Sequence, residues 1–418
     1  MPEPENPQRE FALDVVKRLR AAGHEALWAG GCVRDYFLGR PPKDYDVATS
    51  ALPDEVRELF GRRRTLAIGA AFGVITVRGG ELTPIEVATF RTDGEYHDGR
   101  RPESVAFTTA EHDAQRRDFT INGLFFDPIA ERVVDYVGGL ADLEARVVRA
   151  IGDPRRRFVE DKLRMLRAVR FAATYDFALD DATLQAIRGM ADEATQVSGE
   201  RVGAELRRIL THGSRARGAA LLAEADLLRP LLPEIAAHAA ADDEAWRAAI
   251  GRLGGLERAT VALAYAALLH GMVDLDQVRV LGRRLRLSNK ELDRTIWLLQ
   301  QLPAMLVAAT LPWPRLQRML VHEGSGELLA LAEVILPVAD AGIARCREQL
   351  ARSEADWNPP PLVSGDDLMR RGVKPGRQFA ALLEHLRDEQ LEGRISTQDE
   401  AVAAARVWLE KAGIAGER

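Results

Sequence analysis

Cysteine is nearly absent from this 418-residue chain: Cys32 and Cys346 are the whole supply. Two distant thiols build neither a disulfide framework nor a multi-cysteine metal site, and Cys32, beside a glycine pair, reads as a small packing residue. Long apolar runs are missing too. The longest, Val261 to Leu269, falls short of the roughly 20 residues a helix needs to cross a bilayer. Met1 to Glu10 is polar and lacks the apolar core of a secretory signal, so a cytoplasmic location with no membrane contact is expected. Excess positive charge is absent as well. Lys and Arg number 57 against 63 Asp and Glu, a net charge of −6. That excludes a uniformly basic coat for nucleic acid, but not a local basic track, because counterion release depends only on the groups that touch phosphate. Internal repeats and low-complexity segments are also lacking. What remains, 46% hydrophobic and 29% charged residues, is a globular chain with ample core for several domains.

The pattern changes along the chain. Phe11 to Ala22 has helical periodicity. Ala26 to Ala29, Asp44 to Ala48, Gly73 to Val77, Pro84 to Phe90 and Arg132 to Val137 read as short strands, separated by Gly- or Pro-rich breaks. This α/β segment ends near residue 150. Beyond it, Leu, Ala, Arg and Glu recur at helical spacing. The breaks there are Leu311 to Pro314 and Trp357 to Pro361, the second a candidate linker to a small C-terminal helical module. Basic residues gather in three places: Arg155 to Arg170, Arg279 to Arg286, and Arg370, Arg371, Lys374 and Arg377.

One constellation carries the chemistry. Gly30-Gly31-Cys32-Val33-Arg34-Asp35 is followed by Asp44-Tyr45-Asp46. In an extended strand, residues two apart share a face, so Asp44 and Asp46 set two carboxylates side by side while Tyr45 and Val47 turn to a core. Adjacent carboxylates repel unless a cation lies between them. Hard oxygen donors suit Mg²⁺, which commonly uses one or two carboxylates plus substrate phosphates. Gly30 and Gly31, leading into an apolar helical stretch, form a candidate phosphate cradle. A phosphate site beside a divalent-metal site points to phosphoryl or nucleotidyl transfer.

Three further segments bear on this. Glu86 interrupts the apolar strand Ile85 to Phe90; it either faces solvent or supplies a third carboxylate that binds metal or orients an attacking hydroxyl. Arg116-Arg117-Asp118-Phe119-Thr120-Ile121-Asn122 is either a surface ion pair of small worth or a clamp on a triphosphate, with Asp118 or Asn122 reaching a ribose hydroxyl. In Glu160 to Phe171, Met165, Leu166, Val169 and Ala172 share one arc of a helix, and Asp161, Arg164, Arg167 and Arg170 drift around the other side.

Taken in order, Gly-Gly-X-Val-Arg-Asp, Asp-X-Asp, Arg-Arg-Asp-Phe-Thr-X-Asn and Glu-Asp-X-X-Arg resemble the class II tRNA nucleotidyltransferase and poly(A) polymerase family. The likeness runs over roughly residues 26 to 210, including Ser198 to Leu206, and more loosely beyond. Leu362 to Leu368 followed by Gly372 to Gly376 resembles the tail of some members. The resemblance implies an α+β protein: an N-terminal polymerase-β-like nucleotidyltransferase head (1–150), then an all-α neck (151–212), body (213–355) and tail (356–418). It implies that Asp44 and Asp46 bind two Mg²⁺, that Gly31, Arg34 and Arg117 hold the incoming triphosphate, that Asp161 and Arg164 read the base, and that Arg167 and Arg170 support the site and the phosphates. The substrates would be CTP, ATP and the tRNA acceptor arm, whose backbone would lie along the basic neck, body and tail.

Such a pair explains selection without a template. A carboxylate only accepts hydrogen bonds and a guanidinium only donates them. Cytosine and adenine both present an amino group beside an unprotonated ring nitrogen and match the pair; uracil and guanine reverse both contacts. Sites built on hydrogen bonds discriminate by about 10⁴ or more.

The expected product is CCA at a tRNA 3′ end. Addition of A alone and poly(A) synthesis are the alternatives within the family; Leu66 to Gly73 lacks the arginine-rich stretch of poly(A) members, and the loop Arg91 to Pro102, which CC-only members lack, looks intact. A silent RNA-binding protein is the non-enzymatic alternative, against which Asp44, Asp46, Asp161 and Arg164 speak. A His-Asp phosphohydrolase starting at Ala267-Leu268-Leu269-His270 is rejected, because Gly271 stands where its metal-binding aspartate belongs.

Overall fold

The structure, a computed structural model, describes residues 6–94, 105–373 and 378–411. It divides into two compact units, Met1–Ile250 with Arg279–Leu287, and Gly251–Val278 with Ser288–Arg418.

The first unit opens with helix α1 (Pro7–Ala21). The sequence places its start at Phe11, but Asn6 caps it earlier, accepting from the backbone N–H of Gln8 and Arg9, with Pro7 in the first turn. There follow β1 (Ala26–Ala29), α2 (Gly31–Phe37), β2 (Asp46–Thr49), α3 (Pro53–Phe60), β3 (Thr65–Gly69), β4 (Val74–Gly79), β5 (Leu82–Thr89), β6 (Arg91–Asp93), β7 (Val105–Phe107), α4 (Ala110–Gln115), β8 (Phe125–Asp127), β9 (Arg132–Val134), α5 (Gly139–Ala145) and β10 (Val147–Val148). Seven strands form one sheet in the order β3-β4-β5-β2-β1-β8-β9. β2 runs parallel to β5, and Asp46 stands beside Glu86.

Strands β3 and β8 have no counterpart in the sequence reading. They are short, and β3 has three exposed residues in five, so alternation is weak there. The sequence also begins β2 at Asp44, whereas the structure begins it at Asp46. The ladder explains this: Ala29 pairs with Asp46, and at Gly30 the chain turns away with φ +69° into α2. Asp44 therefore has no β1 residue opposite it. The alternation survives, with Tyr45 and Val47 buried and Asp44 and Asp46 facing outward. Of the loop Arg91 to Pro102, β6 is described and residues 95–102 lie outside the described residues, as do Lys374 to Arg377 in the tail.

Helices α6 (Pro154–Glu160), α7 (Leu163–Tyr175), α8 (Asp181–Met190) and α9 (Gly199–Thr211) continue the first unit. A two-residue strand, β11 (Ala178–Leu179), pairs with β10, so strand structure reaches past residue 150. Met165, Leu166, Val169 and Ala172 are all fully buried, as their arc requires. The second unit is helical among its described residues. Val261–Leu269 is its most apolar helix, and Ala262 to Leu269 are all buried, so the longest apolar run is core. No helix among the described residues is long and apolar enough to cross a membrane. Residues from Val363 to Ala405 enclose an apolar cluster of their own, centred on Leu368, Leu382 and Ala401.

Candidate active site

The turn at Gly30 brings the first half of the site together. A side chain there would be strained by the positive φ, and a Cβ would lie 2.9 Å from Nη1 of Arg117. Glycine lets the arginine close over the start of α2. Cys32 behind it is buried, donates to the Ala29 carbonyl at 3.4 Å, and has a thiol pKa pushed up to about 11, chiefly by burial. It is inert packing, as expected.

Arg117 is anchored by Asp113 of α4 (3.0 and 3.2 Å) and by the Asn122 carbonyl (3.1 Å). Arg116 grips the other oxygen of Asp113 at 2.6 Å. Burial works to raise the Asp113 pKa, but the two arginines outweigh it and hold it below the usual carboxylate range. Arg34 of α2, also buried, donates to the Asn122 side chain and to Asp35.

The second half of the site comes from the helices. The sequence reading runs one helix through Asp161; the structure breaks it there. The Asp161 backbone is extended (φ −149°), and its side chain accepts from the Leu163 N–H at 3.0 Å, starting α7 afresh. Its other oxygen takes Arg201 of α9 at 2.8 Å. Arg164 pairs with Glu160 at 2.6 Å and reaches the Arg157 and Arg116 carbonyls. Asp161 and Arg164 thus face one cavity side by side, each held by a neighbour other than its pair. Arg167 binds Asp118 through two hydrogen bonds of 2.5 and 2.8 Å. Asp118 also accepts from Asn122 (3.0 Å) and from the Phe119 N–H (2.8 Å). Burial pushes its pKa up, yet Arg167 and these donors together hold it down at about 2. Arg170 pairs with Glu205 at 2.6 Å.

A cavity of about 510 Å³ collects these groups. Gly30, Gly31, Arg34, Asp46, Arg117, Asp118, Asn122, Asp161, Arg164, Arg167 and Arg170 line it, with Arg116, Leu163, Phe171 and Arg201. Asp44 lines an adjoining cavity of about 490 Å³, which shares Gly31, Arg34, Asp46 and Arg170 with the first. Glu86 lines neither, but stands beside Asp46 in the sheet. Asp46 opens onto both cavities, yet enough protein crowds it that lost hydration is the largest influence on its carboxyl. Glu86 and Asp44 add to this against the pull of Arg117, and the pKa rises to about 6. A carboxylate short of countercharge, among oxygen-only donors, fits a hard divalent cation. Among the described residues no three His, Cys, Asp or Glu side chains close a metal site by themselves. Substrate phosphates and water would have to complete the shell.

Sequence reasoning passed over Arg201, Glu160 and Asp113 as site residues. The first two lie inside segments already singled out. Asp113 gives no signal, since Ala110–Gln115 reads as a polar surface helix and only the packing buries it.

Known proteins resemble this chain in sequence and in fold. Residues 26–149 match the family described as "Poly A polymerase head domain", and residues 176–238 the family described as "Probable RNA and SrmB- binding site of polymerase A". A CCA-adding enzyme of Levilactobacillus brevis is 32% identical over 95% of this chain and 97% of its own length. The chain belongs to the CCA-adding enzyme family. A CCA-adding enzyme of Geobacillus stearothermophilus is 42% identical over 53% of this chain and 54% of its own. The crystal structure of the Bacillus stearothermophilus CCA-adding enzyme in complex with CTP superposes with a TM-score of 0.80 at 27% identity, covering 98% of this chain and 99% of that one. The Thermotoga maritima enzyme complexed with tRNA shares the fold, with a TM-score of 0.70 at 20% identity and 97% of each chain covered. Membership in this family implies a divalent metal cofactor.

Proposed function

We propose that this protein adds CCA to the 3′ end of tRNA, taking CTP and ATP as substrates and releasing pyrophosphate. A terminal 3′-hydroxyl attacks the α-phosphorus of the nucleotide, and the bond to the bridging β-phosphate oxygen breaks. The observation that carries the reading is the single cavity shared by Asp46, the Gly30–Arg34 turn and the α7 arginines. The same arrangement speaks against a silent RNA-binding protein, which has no need of an underneutralised carboxylate beside a phosphate cradle.

In this reading Asp44 and Asp46 hold Mg²⁺. When bound, the metal activates the attacking hydroxyl and offsets charge on the leaving pyrophosphate. Glu86, beside Asp46, helps orient the hydroxyl. Gly30, Gly31, Arg34 and Arg117 receive the triphosphate, and Asn122 and Asp118 set Arg34 and Arg167 around it. Asp161 accepts from the amino group of cytosine or adenine, and Arg164 donates to the ring nitrogen. Arg201 and Glu160 hold that acceptor and donor in place. Head, neck, body and tail follow the 1–150, 151–212, 213–355 and 356–418 division, and the tRNA acceptor arm is read by shape. Many of the clustered arginines are already ion-paired, Arg284 with Glu234, Arg370 with Asp367 and Arg371 with Asp399, so the RNA track is narrower than their number suggests. The protein acts in the cytoplasm.

The test is product sequencing after tRNA ending at its discriminator base is given CTP, ATP and Mg²⁺. CCA at the new terminus is expected. A single A, an A tract or no extension would refute the proposal, each pointing to a different alternative.

A further inference from the structure

Arg34 lines both cavities, and its guanidinium is fixed from two directions. On one side Nη1 donates to the Asn122 side chain; Asn122 donates to Asp118 (3.0 Å), and Asp118 binds Arg167 of α7. On the other, Nε and Nη2 reach Oδ1 of Asp35 at 3.0 and 2.9 Å. That same oxygen accepts a hydrogen bond from the Tyr175 hydroxyl at 3.0 Å. Tyr175 is the last residue of α7. Both ends of the chain of contacts therefore return to the helix that carries Arg164, Arg167 and Arg170.

The Tyr175 ring is packed already. It stacks with Phe171 at 6.3 Å and tilts against Phe177 at 5.9 Å, and the Arg34 guanidinium lies 4.4 Å from its centroid. A phenylalanine would keep all of this. What the hydroxyl adds is one donor aimed at Asp35, and burial, first among the influences on it, keeps that phenol protonated, its pKa pushed up to about 12.

We propose that Tyr175 and Asp35 are positioning residues for Arg34: the Tyr175 hydroxyl fixes the Asp35 carboxylate, and Asp35 fixes the guanidinium at the angle that meets the nucleotide's triphosphate. The inference rests on the reading that Arg34 binds the triphosphate. It ties the phosphate arm on α2 to the base-reading helix α7. Tyr175 and Asp35 line the cavity that Asp44 enters and act on the nucleotide through Arg34.

The experiment compares the parental full chain with Tyr175→Phe, Arg34→Ala and the double variant. Two quantities are read: calorimetric binding of inorganic triphosphate with Mg²⁺, and KM and kcat for CTP and ATP on tRNA. Tyr175→Phe is expected to weaken triphosphate binding and raise both KM values by about tenfold, the loss of one hydrogen bond to a charged acceptor. The ratio of CTP to ATP use should not change, and in the Arg34→Ala background Tyr175→Phe should add nothing. Parental affinity in Tyr175→Phe, or an equal loss in both backgrounds, would overturn the proposal; the second result would mark a merely structural hydroxyl. A parental protein that extends no tRNA would instead refute the proposed reaction, and the triphosphate titration would still decide the role of Tyr175.

Discussion

The buried ion pair between Asp118 and Arg167 offers the most quantitative test of how this site is held. Replacing Arg167 with leucine removes the guanidinium and keeps an apolar stem against Phe171. Asp118, only 8% exposed, then retains the Asn122 and Phe119 donors but loses its countercharge. In the parent its pKa stands near 2 against an ordinary 3.8, a difference of roughly 2.5 kcal/mol at about 1.4 kcal/mol per pKa unit. Orphaning one member of a buried pair costs about 3–5 kcal/mol. A third of the Arg167 side chain is exposed, so solvent screening puts the loss at the low end, about 3 kcal/mol at pH 7. The sign with pH follows from linkage. In the parent the depressed carboxyl contributes stability that is fully present above its unfolded value and disappears as pH falls from about 4 toward 2. In the variant the largest influence that lowers the carboxyl pKa is gone, while Asn122 and the Phe119 N–H remain, so acidification costs the variant less stability than it costs the parent. Urea unfolding of both proteins from pH 7 to pH 3 should therefore show a gap of about 3 kcal/mol that narrows steadily with acid. A gap independent of pH, or one below about 0.5 kcal/mol, would refute the reasoning.

Three further outcomes are expected. Asp46→Ala should abolish incorporation of CTP and ATP alike and leave tRNA affinity within about threefold, measured by filter binding, since phosphate contacts to the basic surface carry that affinity. Arg164→Ala should relax base choice: the preference for CTP over UTP should fall by at least about tenfold in single-nucleotide incorporation, and undiminished rejection of UTP would contradict its role. Gly203→Ala should destabilise the first unit by about 3 kcal/mol in urea, because its Cβ would lie 2.1 Å from the Leu285 carbonyl and backbone cannot give way as a side-chain tip can; an unchanged midpoint would show that α9 shifts freely.

The candidate site was legible to the degree that its parts are local. Gly30, Asp44-X-Asp46 and the arginine series each sit within a few residues, and their order signals the family. Strand β3 was not legible, because an edge strand with an exposed Leu66 and Ile68 lacks the alternation that marks a half-buried one. The break at Asp161 was hidden for a different reason. Glu160 to Phe171 has unbroken helical periodicity, and it takes Arg201, 40 residues away, to hold the carboxylate that restarts the helix. Asp35 and Tyr175 are 140 residues apart and carry no shared motif at all.

The sequence by itself determined which chemistries are available: paired carboxylates for a divalent cation, a glycine pair for a phosphate cradle, and an acid and an arginine that match the amino-bearing bases. These depend on residue type and short spacing, which the covalent chain enforces. The tertiary structure alone decided which charges oppose which. Asp161 answers to Arg201, Arg167 to Asp118, and Arg34 to both ends of one helix, because charge pairing acts through space at about 3 Å and only packing brings distant segments that close.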